Sequence, residues 1–413
     1  MTDSEQTRST LIQGCVDILP DGGLDARLAV AAKEGRQLRV KLGVDPTAPD
    51  IHLGHTVVLT KLRQFQDAGH KAVLIIGDYT ARIGDPSGVS KTRPQLSPEA
   101  IEANALTYQE QAWKVLDQDP EKLEVRRNSE WLEPLRLPDV FKLLSASTVA
   151  RILERDDFEK RFNASESISM LETLYPLLQG YDSVAIDADI ELGGTDQKFN
   201  MLMGRTVQEY YGKPPQTVMT LEILPGTDGV QRMSKSTGNY IGVTEAPDEM
   251  FGKVMSIPDD AMVLYFQLLT SRAASEIGEM REALAGGTLH PRDAKAALAR
   301  ELVARFHDEE AAAAAEQHFN ELFRDKKLSA DADLVDCPLE AGDNEDGSVY
   351  LPKLLERWFG LSRSEARRRI EQGGVAINDE QVRSQNVPFE GLAGSTIKAG
   401  KSTKFHGSIT LKD

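Results

Sequence analysis

Residues 38–78 alternate between strand-like and helix-like patterns, and this alternation constrains the fold more than any other feature of the chain. The apolar run Arg39–Val44 predicts a short strand that ends at the turn signal Asp45–Thr47. Apolar residues then recur at helical spacing up to Gly69, and Ala72–Ile76 predicts a buried parallel strand. Strands that alternate with helices imply an α/β fold with a parallel sheet, in which ligands bind beyond the carboxyl ends of the strands.

Two histidines flank a glycine where the first predicted strand passes into the helix. They are His52 and His55, with Gly54 between them. The N-terminus of a helix attracts phosphates because its N–H groups are unpaired and carry partial positive charge. Imidazoles there can donate hydrogen bonds to a phosphoryl group, and a glycine lets a flat base approach the backbone. In isolation, the pattern is equally compatible with polar residues that begin a helix and bind nothing.

Two further segments combine small residues with charged side chains. Residues 231–239, Gln-Arg-Met-Ser-Lys-Ser-Thr-Gly-Asn, form a cation-bearing loop that could neutralise charge as pyrophosphate leaves. Residues 193–197, Gly-Gly-Thr-Asp-Gln, follow a strand-like run, and their carboxylate could hold ribose hydroxyls. Taken singly, the first favours a solvated surface loop and the second an ordinary turn.

Together, the three segments resemble the signature motifs of class I aminoacyl-tRNA synthetases, in the order and spacing of that family. The resemblance implies a Rossmann-like parallel-sheet catalytic domain that binds ATP with Mg²⁺ as a substrate complex. It implies neither a tightly bound cofactor nor a metal site of the protein. Catalytic roles are implied for Thr47, His52, His55, Arg232 and Lys235. Contacts with ATP are implied for Asp45, Gly54, Gly194, Asp196, Met233 and Ser234.

A helical stripe bears on which amino acid is activated. Tyr175, Gln179 and Asp182 are spaced by four and then three residues among several leucines, so they share one partly buried helix face. Without context, such a stripe favours a surface or an internally satisfied polar network. With the motifs above, it resembles the tyrosine-binding helix of bacterial tyrosyl-tRNA synthetases. The segment from Thr80 to Gly88 likewise resembles their amino-group-binding loop, and the resemblance extends over nearly the whole chain.

The resemblance also implies a role for each of these side chains. Tyr175, Gln179 and Asp85 would surround the ammonium of tyrosine, with Thr80 in the same loop region. Asp182 would face the phenol, and Gln197 would lie near the carboxylate. A site that hydrogen-bonds a hydroxyl leaves buried groups unpaired when phenylalanine enters, and tyrosyl-tRNA synthetases are themselves a standard example of this effect.

Two positions depart from the pattern of that family. Many relatives carry a tyrosine, a second partner for the phenol, on the first strand near Lys41. Here the strand has no tyrosine, so phenol recognition rests more heavily on Asp182. The signature loop has Arg232 where a lysine commonly stands, which keeps the charge but changes the donor geometry.

The second half of the chain predicts helices, then an acidic segment, then a compact tail. The expected domains are 1–245 (catalytic), 246–330 (α-helical, anticodon-side), 331–347 (acidic linker) and 348–413. The tail resembles the small α+β Alpha-L RNA-binding module, and Ser362 is expected to cap its second helix. RNA contacts are implied for Arg363, Arg367, Arg368 and Arg369. On charge alone, a solvated basic helix is equally compatible.

Composition limits the partners. With 48 basic and 65 acidic residues the net charge is −17, which argues against a broad basic surface but not against local RNA binding. The polar N-terminus, the lack of a long apolar run and two isolated cysteines predict a cytoplasmic protein without a membrane partner. The partners implied by the resemblance are L-tyrosine, ATP, tRNA(Tyr) and a second copy in a homodimer. Alternatives are a tryptophan enzyme of the same class, a non-catalytic RNA-binding paralogue and a nucleotidyltransferase that acts on a small metabolite.

Overall fold

The computed structural model describes residues 3–47, 50–86, 96–234, 237–323, 335–344, 346–378, 380–400 and 405–412. The chain divides into two compact units, Met1–Phe319 and Asn320–Asp413, which are described separately. Among the described residues, no helix has the length and apolar character required to cross a membrane.

The N-terminal unit is built on a six-stranded sheet in the order β1-β6-β5-β2-β3-β4. Neighbouring strands run parallel except at the edge, where β1 is antiparallel to β6. The predicted strand Arg39–Val44 is confirmed, and the second predicted strand begins one residue earlier, at Lys71. The strands are β1 (Cys15–Leu19), β2 (Arg39–Val44), β3 (Lys71–Ile76), β4 (Leu123–Arg127), β5 (Ile190–Gly194) and β6 (Thr217–Leu221).

Within the described part of this stretch, ten helices connect and cover these strands. The predicted helix after β2 is α3, whose buried apolar side chains pack on the sheet. Ser97 caps α4, because its hydroxyl accepts from the Ala100 N–H at 3.2 Å. The helices are α1 (Asp3–Ile12), α2 (Gly23–Glu34), α3 (Leu53–Asp67), α4 (Pro98–Ala112), α5 (Ser129–Leu132), α6 (Leu137–Leu144), α7 (Val149–Leu153), α8 (Asp156–Asn163), α9 (Met170–Ala185) and α10 (Lys198–Tyr210).

Between the sheet and residue 323, the described residues form five helices, in agreement with the helical pattern of this region. Buried side chains of the sheet and of these helices form a single apolar cluster, so packing does not separate the two domains expected to meet at residues 245 and 246. The helices are α11 (Pro247–Ser256), α12 (Asp259–Leu269), α13 (Ala274–Ala285), α14 (Pro291–Phe306) and α15 (Glu309–Phe323).

The C-terminal unit has its own core and two small sheets. Its five-stranded sheet has the order β10-β9-β12-β13-β7, and β8 pairs with β11. Two helices pack on this core, and Ser362 caps the second of them. The elements are β7 (Val335–Glu340), β8 (Ser348–Tyr350), α16 (Leu351–Phe359), α17 (Arg363–Glu371), β9 (Val375–Ile377), β10 (Glu380–Val382), β11 (Asn386–Pro388), β12 (Thr396–Ala399) and β13 (His406–Lys412).

The acidic segment 331–347 differs from the expected linker. Residues 335–340 form β7, which pairs in parallel with β13. Cys337 and Leu339 are buried, whereas acidic residues alternate with them on the more exposed side. A period of two residues therefore builds a strand despite the acidic composition. Residues 331–334 and 345 lie outside the described part of the chain.

Candidate active site

A cleft of about 830 Å³ opens beyond the carboxyl ends of β2 and β5, where an α/β sheet is expected to bind ligands. Residues from all three signature segments and from the polar stripe of α9 line it. Segments that are far apart in sequence therefore meet in one place. The predicted site residues that line the cleft are Asp45, Thr47, His52, Gly54, His55, Thr80, Asp85, Tyr175, Gln179, Asp182, Gly194, Asp196, Gln197, Arg232, Met233 and Ser234.

The two histidines stand at the start of α3, as the sequence predicts. His52 is the N-cap residue, and its ring stacks on that of His55 with centroids 3.8 Å apart. A Cβ on Gly54 would lie 3.0 Å from the His52 ring, so a larger residue at this position would require that ring to shift. The exposed helix N-terminus and the two imidazoles form a surface suited to phosphate.

The cation-bearing loop adjoins this helix start. The segment around His52 pairs with the strand-like residues after the loop, since the Leu53 N–H donates to the Ile241 carbonyl at 2.9 Å. The loop is held from within by Asn239, whose side-chain oxygen accepts from the Ser234 N–H at 2.9 Å. Lys235, a predicted catalytic residue, lies outside the described residues.

Arg232 links the loop to the Gly-Gly-Thr-Asp-Gln turn. Its guanidinium lies 3.4 Å from the Asp196 carboxylate, in the short 3₁₀ turn after β5. Burial raises the pKa of Asp196, the charge of Asp85 adds to this effect, and Arg232 opposes it. A Cβ on Gly194 would lie 2.6 Å from a carboxylate oxygen of Asp196. The glycine thus leaves space for a carboxylate that can face a ribose.

Another part of the cleft lining is centred on Asp45. Tyr175 and Thr80 donate hydrogen bonds to its two oxygens at 2.8 and 2.7 Å. Burial raises the pKa of Asp45 to about 7, and the hydrogen bonds from Thr80 and Tyr175 oppose this shift. Asp45 was expected among the ATP contacts, and the structure joins it to two residues expected at the amino acid.

Asp182 lies deep in the cleft with 3% of its surface exposed. Trp131 Nε1 donates to one of its oxygens at 2.8 Å, and Asn128 Nδ2 to the other at 3.4 Å. Burial raises the pKa of Asp182 to about 6, while the charge of Lys41 and these two hydrogen bonds oppose the shift. Sequence reasoning missed both donors. Asn128 directly follows β4, so the rule on strand ends could have indicated it.

Asp85 is held by two neighbours. It accepts from Gln197 Nε2 at 2.7 Å and from Arg155 at 3.3 Å. Arg155 is buried and also donates to Asn200 at 3.0 Å. No pattern in the sequence indicated Arg155, since it reaches Asp85 across 70 positions of the chain. Ser87 and Gly88 of the expected loop lie outside the described residues.

The predicted RNA-binding arginines all lie on α17 of the C-terminal unit, and each has a partner within it. Arg363 pairs with Glu356 at 2.7 Å, and Arg367 donates to the Tyr350 hydroxyl at 2.7 Å. Arg368 and Arg369 both pair with Glu365, at 2.6 and 2.9 Å. The ion pairs with Glu356 and Glu365 are partly exposed to solvent, where such pairs contribute little to stability.

Comparisons with known proteins identify the family. Residues 33–324 match the model of the class I tRNA synthetases (W and Y). The chain belongs to this family. Residues 351–391 match the S4 domain. The expected fold is thereby confirmed, with its parallel-rich sheet, its many helices and a C-terminal S4 domain.

Relatives of known name extend over nearly the whole chain. A tyrosine–tRNA ligase of Moorella thermoacetica is 53% identical over 95% of this chain and 93% of its own length. The tyrosine–tRNA ligase of Carboxydothermus hydrogenoformans is also 53% identical, over 94% of each chain. The tyrosyl-tRNA synthetase of Archaeoglobus fulgidus, solved with L-tyrosine, has a similar fold with a TM-score of 0.60 at 21% identity. It covers 76% of this chain and 100% of its own. The resemblance to tyrosine–tRNA ligases is confirmed.

Proposed function

We propose that this protein activates L-tyrosine with ATP and then transfers the tyrosyl group to the 3′-terminal adenosine of tRNA(Tyr). The observation that carries this proposal is the position of Asp182, a buried carboxylate that lines the same cleft as the class I signature motifs. The similar tyrosine–tRNA ligases over almost the full length support it.

In the first step, a carboxylate oxygen of tyrosine attacks the α-phosphorus of ATP. A new C–O–P linkage forms, and the bond between the α-phosphorus and the oxygen that bridges it to the β-phosphorus breaks. Pyrophosphate leaves with the electron pair of that bond. Hydrogen bonds from the N-terminus of α3 and from His52 and His55 stabilise the negative charge of the phosphates. Arg232 and Lys235 supply positive charge that helps to neutralise it. No side-chain nucleophile is needed, because orientation of the two substrates lowers the barrier. ATP enters as its Mg²⁺ complex.

In the second step, a ribose hydroxyl of the terminal adenosine attacks the carbonyl carbon of tyrosyl-adenylate. The ester bond to tRNA forms, AMP leaves, and the hydroxyl proton is released. Asp196 would hold the ribose of the adenylate, and the position of its carboxylate in the cleft lining, beside the glycine turn, supports this role.

Substrate selection depends on both ends of the tyrosine. Asp182 would accept the phenol hydroxyl, and phenylalanine would leave this buried carboxylate without that partner. Asp85, Tyr175 and Gln179 would surround the ammonium, and Gln197 would meet the carboxylate. The hydrogen bond between Gln197 and Asp85 fixes the two groups relative to each other.

We also propose a cytoplasmic homodimer. Cys15 and Cys337 are both free thiols, which agrees with a reducing compartment. Large exposed apolar side chains are concentrated on the consecutive elements α6 to α9, where a second copy could cover them. We call this set the apolar face: Leu137, Phe141, Leu144, Val149, Phe162, Met170 and Leu171.

Exchange of labelled pyrophosphate into ATP, measured with each of the twenty amino acids and without tRNA, tests the activation step. Exchange with tyrosine alone is expected, and esterification of tRNA(Tyr) would then confirm the transfer. Exchange with tryptophan instead would retain the class and overturn the substrate. If folded protein gave no exchange with any amino acid, the proposal would be wrong.

A further inference from the structure

A buried ion pair lies beside the proposed phenol site. Lys41 on β2 and Glu191 on β5 are opposite each other in the parallel sheet, and their charged atoms are 2.8 Å apart. The Lys41 side chain is 0% exposed and that of Glu191 2%. Glu191 lines the cleft, whereas Lys41 is not part of its lining.

The ammonium of Lys41 is fully occupied by the protein. Besides Glu191, it donates to the Gln179 carbonyl at 2.9 Å and to the Ser183 hydroxyl at 2.7 Å. A lysine has three N–H donors, so none remains for a substrate hydroxyl. Lys41 therefore does not replace the missing tyrosine of the strand as a direct phenol partner.

The contacts of the pair converge on one turn of α9. Lys41 holds the backbone of Gln179, and Glu191 accepts from the side chain of Gln179 at 3.2 Å. Glu191 is itself held by the side chain of Gln216. The turn that is fixed in this way carries Gln179 and Asp182, which are the proposed contacts for the two ends of tyrosine.

The pair is an expensive way to gain stability. Buried ion pairs lose much hydration, and their replacement by apolar residues is often neutral or stabilising. A purely structural explanation for a charged pair at this position is therefore weak. The location beside Gln179 and Asp182 suggests that its charge and its geometry act on the substrate site.

We propose that Lys41, paired with Glu191, is a positioning and specificity-determining residue for tyrosine. It fixes the turn of α9 that carries Gln179 and Asp182, and it places a positive charge near the Asp182 carboxylate. This role rests on the proposed function.

Electrostatics around Asp182 support this role. The charged and titratable groups that act on it are Lys41 on β2, Glu191 on β5 and Asp45 just after β2, with Tyr175 on α9. Burial raises the pKa of Asp182, the Lys41 charge is the largest opposing influence, and Glu191 has a smaller effect in the raising direction. Without Lys41, Asp182 would take up a proton at higher pH and lose its capacity to accept as a carboxylate.

Two variants test the role: Lys41→Met, and the double variant Lys41→Met with Glu191→Gln. The double variant leaves neither member of the pair as a buried charge without its partner, so it keeps the test decisive if the single variant fails to fold. The matched control is Arg161→Met with Glu172→Gln, which removes another buried pair, 3.0 Å apart, that also involves α9 but does not line the cleft. Glutamine at position 172 can still serve the capping box of that helix.

Pyrophosphate exchange with tyrosine and with phenylalanine is measured against pH for each folded protein. In the double variant, the KM for tyrosine should rise at every pH. The acid limb of the kcat/KM profile should move to higher pH. A rise of one unit in the pKa of Asp182 corresponds to a further loss of about tenfold in kcat/KM for tyrosine at low pH. The preference for tyrosine over phenylalanine should fall, with the KM for ATP unchanged. The control pair should alter neither the acid limb nor the preference.

The outcomes separate this role from the proposed function. If the unchanged protein gives no tyrosine-dependent exchange, the proposed function is wrong and the role of Lys41 falls with it. If the unchanged protein is active and the folded double variant keeps its acid limb and its tyrosine preference, only the role of Lys41 is overturned.

Discussion

Asp182 illustrates how one buried side chain can serve recognition. Its two oxygens already accept from Trp131 and Asn128, which fix the carboxylate in one orientation. A carboxylate has about four acceptor sites, so capacity remains for a phenol hydroxyl. In the proposed function, specificity would therefore depend on an acceptor that is oriented before the substrate arrives.

Asp182→Ala should remove the preference for tyrosine over phenylalanine. A hydrogen bond to a charged group contributes about 1.5–3 kcal/mol, so kcat/KM for tyrosine should fall roughly 10- to 100-fold. The value for phenylalanine should stay or rise, because no buried carboxylate is left unpaired. Pyrophosphate exchange measures both. Glu209→Ala on the exposed side of α10 is the control, and an unaltered preference in Asp182→Ala would refute the assigned role.

The pKa of Asp182 has opposite consequences for binding and for folding. It is raised from 3.8 to about 6 in the folded protein, so tyrosine should bind more weakly as pH falls through about 6. The folded state holds this proton more tightly than the unfolded state, and stability therefore decreases as pH rises from about 4 to about 6. Above that range the ionised group destabilises the ligand-free fold.

Asp182→Asn removes this ionisation and should stabilise the protein while it weakens tyrosine activation. A shift of about two pKa units corresponds to at most about 3 kcal/mol at pH near 8, and to little below pH about 4. Urea unfolding at both pH values measures the difference. Lower stability of the variant than of the unchanged protein at the higher pH would contradict this prediction.

At the scale of elements, α9 and α10 approach each other closely at Gly180. A Cβ at this position would lie 2.9 Å from Val207 Cγ2 and 3.3 Å from the Gly204 Cα. Alanine is the better helix former by about 1 kcal/mol, but overpacking of a core costs about 1–3 kcal/mol. The steric cost should exceed the gain in helix propensity, because the Gly204 contact is with the backbone of α10, which cannot rotate away as a side chain can.

Gly180→Ala should therefore destabilise the protein by up to about 2 kcal/mol and raise the KM for tyrosine, since α9 carries the proposed substrate contacts. The same substitution at Gly278 in α13, where a new Cβ meets nothing within 4 Å, should instead stabilise by about 0.5–1 kcal/mol. Urea unfolding of both variants measures the two signs. Equal effects would show that packing between α9 and α10 is not the limiting factor.

Local sequence patterns predict some of the helices, strands and caps of this protein and miss others. The strands β2 and β3, the cap at Ser362 and the polar stripe of α9 follow from local periodicity and capping chemistry, and the structure has them as expected. The strand β7 was missed because its acidic residues obscured a period-two pattern. Trp131 and Arg155 could not be found, because their roles arise from contacts across 51 and 70 positions that no local pattern encodes.

The arginines of α17 belong to the same scale. Arg363→Ala with Arg368→Ala should weaken tRNA binding, because both side chains can leave their weak surface partners for phosphate. Exchange of pyrophosphate should stay unchanged, and the KM for tRNA should rise by roughly tenfold with a smaller salt dependence. Arg8→Ala, which removes an exposed paired arginine of the N-terminal unit, is the control. An unchanged KM for tRNA would favour an ordinary solvated helix.

At the scale of the whole molecule, the apolar face on α6 to α9 bears on assembly. Leu137 and Phe141 are one helical turn apart on α6, and the side chain of Phe141 is 57% exposed. Monomeric proteins rarely leave many large apolar side chains in water, and a two-fold dimer would use the same face on both copies. One substitution on this face therefore changes the interface at two symmetry-related places, and its free-energy cost to dimerisation is doubled.

Phe141→Asp should convert the proposed dimer into single chains. An unpaired polar group in an apolar contact costs at least about 2 kcal/mol, and two copies raise this to about 4 kcal/mol, roughly a thousandfold in the dissociation constant. Sedimentation velocity over a range of concentrations measures the effect. Leu106→Asp on α4, an exposed apolar position outside this face, should leave the dimer intact. A dimer that persists in Phe141→Asp would place the interface elsewhere, and an unchanged protein that sediments as one chain would exclude the homodimer.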